Sequence, residues 1–497
     1  MRISHLIVLG IALLIITTST FAGSSEQLAH RYYTSTVYSW WPIYKDIALF
    51  QKFVDESKQK GMNSICIDIP WTIQKDNGNY DFTESDKRID YIVARNMTVF
   101  LRANTTTLGG QIPKWLTDEM LQQTPDGKIY RRETDGGTLP SLAHPTVRAK
   151  IIEFCEQIAA HYGKRYKSKT AGEYPVIAII PAFNLYMDTE YFREADVDYS
   201  PSAQADFSIW AKSHYRTLAN LNDLWGKEYK SWNEVSLKDA HDTAKYLYFE
   251  FTLQRILDKI GDSVRRAGSI PVGLSSGSIA DNPHRRTMNI TALMQKLDWL
   301  LVTDEPEDNH AFSADYARCS VPGKKIASGI DAATHAAATN GRYFNQGVRA
   351  FEHGANAVHV VNWDLASLSD NKKWPFLHFI GKLTRYPKAN PKPTKAIYVS
   401  TWDLINRAAS LGQYTSAYES LSEGGKKPVD ILPDYVIASN PDCLAQYSEI
   451  YLPANWTIPT AVRKVLLKSE DKLKVSKPLV AGTLDEYGRP AEPLIKH

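Results

Sequence analysis

The 497-residue chain carries 58 basic and 55 acidic residues, and a net charge of +3 gives too weak a field to recruit nucleic acid or an anionic membrane. Four cysteines, Cys66, Cys155, Cys319 and Cys443, lack the CxxC or Cys/His spacing of a zinc site or a dense disulfide framework and read as buried thiols. The 12 Trp and 27 Tyr supply flat rings with a polar edge, which suit sugar faces as well as cores.

Arg2, the apolar run Leu6 to Ile16 and the small residues around the Thr20-Phe21-Ala22 cleavage positions read as an export signal over residues 1–22. That run is shorter than the ~20 apolar residues a spanning helix needs, so the expectation is a secreted or periplasmic protein without a membrane anchor after signal removal. The rest exceeds what one core usually serves, which argues for a large domain and a smaller one.

From Thr34 to Leu383, short β-branched or apolar runs alternate with amphipathic segments at helical spacing. Candidate strands are Thr34–Trp40, Ser64–Ile69, Thr98–Ala103, Val176–Phe183, Pro271–Ser275, Trp299–Thr303, Lys325–Gly329 and Ala357–Asn362. Intervening helices include Ala48–Lys60, Lys87–Arg95, Pro145–His161, Ala205–Trp225, Thr243–Ala267, Asn289–Lys296 and Tyr343–His353. Eight such units predict an α/β fold, a (β/α)₈ TIM barrel over residues 23–390; an open doubly wound sheet of this width would be unusual. Past the Pro- and Lys-rich linker Tyr386 to Lys395, strands at Ala396–Ser400, Tyr435–Ala438 and Glu449–Leu452 predict a flavodoxin-like α/β domain over 391–497.

Barrel enzymes carry their chemistry at the C-terminal ends of the strands. Those positions hold Asp68 and Trp71 after strand two, Arg102 and Asn104 after strand three, and Asn184, Tyr186, Asp188, Glu190 and Tyr191 after strand four. Strand six ends in Asp304-Glu305, strand seven in Asp331 and strand eight in Asn362-Trp363-Asp364. Carboxylates, amides and aromatics in one pocket suit glycoside hydrolysis, which needs a protonated and an ionised carboxyl flanking the scissile bond. No Gly-rich phosphate loop, HExxH helix or GxSxG elbow supports nucleotide, metalloprotease or serine-hydrolase chemistry, and no metal or cofactor is expected.

Trp71 followed by Asn77-Gly78-Asn79-Tyr80-Asp81-Phe82 and Asp86 resembles the strand-two signature of clan A glycoside hydrolases, family 42 β-galactosidases above all. Pro113-Lys114-Trp115-Leu116, Asp126-Gly127, Arg131-Arg132, the helix from Pro145 to Tyr162, and Trp210, Tyr215, Leu218, Leu221-Asn222 and Trp225-Gly226 follow that family's order. The resemblance implies a retaining mechanism, with an acid/base carboxyl after strand four, a nucleophile after strand seven, an oligosaccharide or polysaccharide substrate, and a homo-oligomer formed through the terminal domain.

Both catalytic positions depart from the pattern. A simple register places Leu185 where the acid/base stands, whereas an alternative register offers Asp188 or Glu190, with Glu190 slightly favoured. Asp331 replaces the family's Glu and is shorter by about 1.5 Å, the length of one C–C bond, which leaves Asp331 or Glu305 as nucleophile and an inverting outcome open. Trp71 and Trp363 are candidate sugar-stacking rings, Tyr191 is a further candidate substrate contact, Arg102 is placed to orient the nucleophile or bond a sugar hydroxyl, and Asn184 to hold a hydroxyl. A binding-only barrel and an inverting glucan hydrolase of β-amylase type remain the alternatives.

Overall fold

Eight parallel strands form one sheet: β1 (Tyr32–Val37), β2 (Ser64–Pro70), β3 (Thr98–Asn104), β4 (Val176–Ala182), β5 (Gly273–Ser276), β6 (Trp299–Val302), β7 (Lys325–Asp331) and β8 (Ala357–Val361). Their order is β4-β3-β2-β1-β8-β7-β6-β5, and the two ends meet through the parallel bridge Ile179–Val272, so the sheet curls into the barrel that the βα alternation predicts. The computed structural model describes residues 31–75, 78–106, 113–166, 175–191, 196–277, 289–303, 310–331, 340–361, 363, 377–384, 386, 390–405, 409–453, 456–475 and 481–494. The export segment lies outside them. Among the described residues no helix is long and apolar enough to cross a membrane.

Large rings and small side chains together fill the barrel interior. Trp299 meets Tyr32 at 5.6 Å and Phe100 at 5.2 Å, both edge-on, while Cys66, Ala178, Ala327 and Ala357 complete the same cluster. Outside, the helices Pro145–Arg165 and Asp242–Gly268 cross at two glycines. A methyl on Gly163 would stand 2.6 Å from Gly268 Cα, and one on Gly268 only 2.1 Å from the Ala159 carbonyl, so nothing larger fits.

The sequence motifs turn out to be fastenings. Gly78, at φ +82°, turns the strand-two loop so that Tyr80 stacks on Phe154 and donates to Glu153, while Phe82 lies 4.1 Å from the His161 ring and Asp86 pairs with His161 at 2.9 Å. Each contact ties that loop to Pro145–Arg165. Further along, Asn222 accepts from Tyr229 N and donates to Tyr229 O, and Gly226 closes the helix Leu218–Trp225 in the left-handed conformation. The single helix expected over Ala205–Trp225 is two, Pro201–Tyr215 and Leu218–Trp225, because Arg216 adopts φ +63° and Thr217 caps the second.

A second sheet, ordered β10-β9-β11-β12, comprises β9 (Lys395–Val399), β10 (Asp430–Pro433), β11 (Glu449–Leu452) and β12 (Leu473–Val475). Counting from its first strand, this is the flavodoxin-like order 2-1-3-4. The strand expected at Tyr435–Ala438 is instead the helix Asp434–Ser439; the strand is the run just before it. A short apolar run does not distinguish the two by periodicity. The helix His310–Ser320 and the strand β12 have no counterpart among the elements expected from the sequence.

Barrel and terminal layer meet at Asp315, on the helix His310–Ser320. Its carboxylate accepts from His353 Nδ1 (2.8 Å), Tyr418 Oη (2.7 Å) and Val429 N (3.1 Å) and pairs with Arg318, which also reaches Asp430. The tail returns to the barrel's helical insertion through Thr243 Oγ1 to Glu486 O and Arg489 to Asp223. Tyr32–His497 are accordingly one compact unit.

Two outcomes are expected. Gly163→Ala destabilises the chain by about 1–3 kcal/mol through overpacking, read as a lowered denaturation midpoint with unchanged slope. Burial pushes the Asp434 carboxyl up to about 7, so its contribution is fully present below about pH 4 and fades as pH rises through 7. Thermal melts are expected to show Asp434→Asn flattening the loss of stability between pH 5 and pH 8.

Candidate active site

A buried cation lies at the C-terminal end of the barrel. Arg102 of β3 places its guanidinium 3.9 Å from Asp68 of β2 and 5.0 Å from the Tyr38 ring centre. Among the described residues its three guanidinium nitrogens have no hydrogen-bond partner, and neither does Asp68 Oδ1. Burial works against the charge of Arg102, but Cys66, Tyr38, Asp68 and Asp188 around it keep its pKa raised. Burial pushes Asp68 up to about 6 against the pull of Arg102. His359 of β8, bonded through Nε2 to Thr36 Oγ1, is pushed down to about 3 by burial and by Arg102, and is therefore neutral.

The loop after β4 supplies the carboxyls. Asn184 Oδ1 accepts from Tyr186 N (2.9 Å) and Asp188 N (3.0 Å), and Met187 takes φ +69°, which folds the chain back on itself. Thr189 locks the turn to the barrel, donating to Pro181 O and accepting from Ser275 N at 2.9 Å. Leu185 packs in a small cluster with Leu139 and Val197, so the position that a simple register assigns to the acid serves the loop's outer wall. Arg132 holds that wall by donating to Leu185 O and pairing with Asp135.

Asp188 lies in the barrel mouth: its Oδ1 meets Ser275 Oγ (2.8 Å) and Thr303 Oγ1 (3.3 Å), and its charge is felt at Arg102. Glu190 is seated to one side, with Oε1 accepting from Ser276 Oγ (3.1 Å) and Gly277 N (2.9 Å) and Oε2 accepting from Asn184 Nδ2 (3.1 Å). Both are buried. An amide and a backbone N–H only donate, so Asn184 and Gly277 fix the Glu190 oxygens in place. The wall behind Asp188 also depends on Gly329 of β7, where a methyl would stand 2.1 Å from the Thr303 carbonyl.

The aromatic candidates take different places. Trp71 is buried between Trp115 (5.1 Å) and Phe154 (6.3 Å), and Trp363 stacks on Phe53 at 4.5 Å while its Nε1 donates to Thr36 O. Tyr191 is buried against Phe249. These three rings pack as core, because helices lie over the strand ends they follow, and none presents an open face. The open rings are Trp40, 38% exposed and 4.5 Å from Tyr38, and Tyr186, 40% exposed. The strand expected over Thr34–Trp40 includes Trp40, but β1 ends at Val37; the run Tyr38-Ser39-Trp40-Trp41 directly after a β-branched strand is the sequence signal for this ring. Ser275, Ser276 and Thr303 carried no signal. Glu305 lies outside the described residues, and Asp331 is described in its backbone alone, paired with Val361.

Comparison with known proteins agrees with the resemblance. Residues 42–258 match the glycoside hydrolase family 42 model, described as beta-galactosidase. Beta-galactosidase BbgII of Bifidobacterium bifidum is 27% identical over 178 residues, 34% of this chain and 22% of its own length, so the chain matches about a fifth of that relative. The fold is that of the β-galactosidase from Bacillus circulans sp. alkalophilus (TM-score 0.72, 15% identity, 94% of this chain and 73% of that one). It is likewise that of the enzyme from psychrophilic Marinomonas ef1 (TM-score 0.69, 16% identity, 93% and 77%).

Arg102→Met would leave Asp68 buried without its cation, and removing one member of a buried pair typically costs about 3–5 kcal/mol. Chemical denaturation is expected to show that loss, and the double variant with Asp68→Asn to recover part of it.

Proposed function

We propose that the chain is an exported glycoside hydrolase acting on β-galactosides or a similar β-linked sugar, with Asp188 as acid/base and Asp331 as nucleophile. The observation that supports this reading is the β4 loop, which turns Asp188 inward against two hydroxyls and beside the buried Arg102. In this mechanism Asp188, protonated, gives its proton to the glycosidic oxygen as the bond to the anomeric carbon breaks. The ionised carboxylate after β7 takes that carbon from the opposite face, and Asp188 then deprotonates the water that releases the sugar. Glu190 acts through others: fixed by Ser276, Gly277 and Asn184, it orients the Asn184 amide and stiffens the loop. The unpartnered guanidinium N–H groups of Arg102 are placed to hold a sugar hydroxyl or the nucleophile, and the exposed face of Trp40 gives a ring on which a sugar stacks.

Hydrolysis of a panel of aryl β- and α-glycosides, with the product anomer followed by NMR, tests the reading. Asp188→Asn and Asp331→Asn are each expected to lower kcat by roughly 10²-fold or more, Glu190→Gln and Glu305→Gln by less, and the first-formed anomer to be retained. Loss confined to Glu305→Gln would move the nucleophile to β6, and an inverted product would point to the β-amylase type of mechanism. No turnover on a broad panel would leave a sugar-binding barrel. Trp40→Ala is expected to raise KM several-fold while kcat stays near wild type, as the loss of uniform stacking predicts.

A further inference from the structure

A cavity of about 200 Å³ lies in the seam between the barrel's outer helices and the terminal layer, lined by Ala311, Phe312, Arg349, Thr415, Tyr418, Glu419, Gly424 and Gly425. Its walls are held rigidly, since Tyr418 donates to the Asp315 hub and His353 Nε2 bonds the Gly425 carbonyl at 3.1 Å. Gly424 and Gly425 adopt φ +72° and +73°, and a methyl on Gly425 would stand 3.0 Å from Ala311 Cβ and 3.4 Å from Arg349 Nη1. Glycine there keeps the space beside the guanidinium open.

Two opposite charges face this space without joining. Among the described residues neither the Arg349 guanidinium nor the Glu419 carboxylate has an ion-pair or hydrogen-bond partner, although both residues line the same cavity. The lining is therefore neutral in sum, which disfavours an anion, whose charge Glu419 would oppose. A neutral ligand with adjacent hydroxyls satisfies both groups: one hydroxyl oxygen accepts from the guanidinium and a neighbouring O–H donates to the carboxylate. Phe312 and Ala311 add an apolar patch of the kind that meets the C–H face of a pyranose. The volume falls below the ~300–1,000 Å³ of drug-sized ligand pockets, which limits the occupant to one small ring.

We infer that the seam cavity is a second, non-catalytic site that takes a single hexopyranose unit, gripped by Arg349 and Glu419. The choice of sugar as ligand rests on the proposed function, but the site itself needs no catalysis. The test is a crystal soak of the full chain in galactose and in glucose, with calorimetric titration of wild type, Arg349→Met and Glu419→Gln, and with sulfate as the competing probe. Sugar is expected in the seam, with seam binding weakened about ten-fold or more in either variant while hydrolysis and melting temperature stay at wild-type values. Sugar found at the barrel mouth alone, variants that bind as wild type does, or sulfate taken in preference to sugar would each overturn the inference. Seam binding in a chain that hydrolyses nothing would sustain this site and sink the proposed activity. An empty seam in an active enzyme would do the reverse.

Discussion

The burial of Arg102 inside the barrel is the constraint that the upper half of this molecule obeys. A guanidinium removed from water is costly unless negative or hydrogen-bonding groups surround it. Asp68 of the neighbouring strand and Asp188 of the β4 loop supply the charge, and the Tyr38 ring supplies a face. Burial, with the same cation adding to it, keeps His359 neutral. An all-apolar interior would tolerate none of this. The barrel therefore divides into a lower half packed by Trp299, Phe100 and small residues, and an upper half where hydroxyls and carboxyls surround the buried Arg102.

That division explains the work of the β4 loop. Asn184, Met187 and Thr189 shape a tight reversal, and the result is that Asp188 meets Ser275 and Thr303 beside the cation, whereas Leu185 is buried against Leu139 and Val197. A carboxyl reaches the mouth from a position different from the one a simple register indicates. In a simple register the acid/base position is filled by Leu185, and the loop's carboxyls stand a few residues further along a segment whose shape is set by its own polar side chains.

Joining the terminal layer to the barrel is again a matter of one buried carboxylate. Asp315 gathers His353, Tyr418, Arg318 and a backbone N–H from both parts, with three of these donors coming from elements far apart in sequence. Such a hub is worth most when complete, since each missing donor leaves a buried acceptor exposed to no solvent. It also fixes the helix Leu411–Leu421 and the glycine turn after it, and so shapes the seam cavity.

The sequence by itself determined the architecture: alternating apolar runs place all eight barrel strands within a few residues, because period and turn chemistry are local properties of the chain. It also determined the family likeness, since Trp71, Tyr80, Phe82, Asn222 and Gly226 stand in a motif order legible along the chain, although Tyr80 and Phe82 fasten to a helix more than 70 residues away. The tertiary structure alone decided which polar residues meet. Trp71, Trp363 and Tyr191 went to the core because helices cover them, and Trp40 took the open position because β1 ends early. Ser275, Ser276 and Thr303 became partners of the β4 carboxyls only through closure of the barrel, and Tyr435–Ala438 became part of a helix rather than the strand expected there. Contacts between strands that are distant in sequence leave no periodic mark on either one, so a site assembled from several strand ends becomes legible only when the ring is closed.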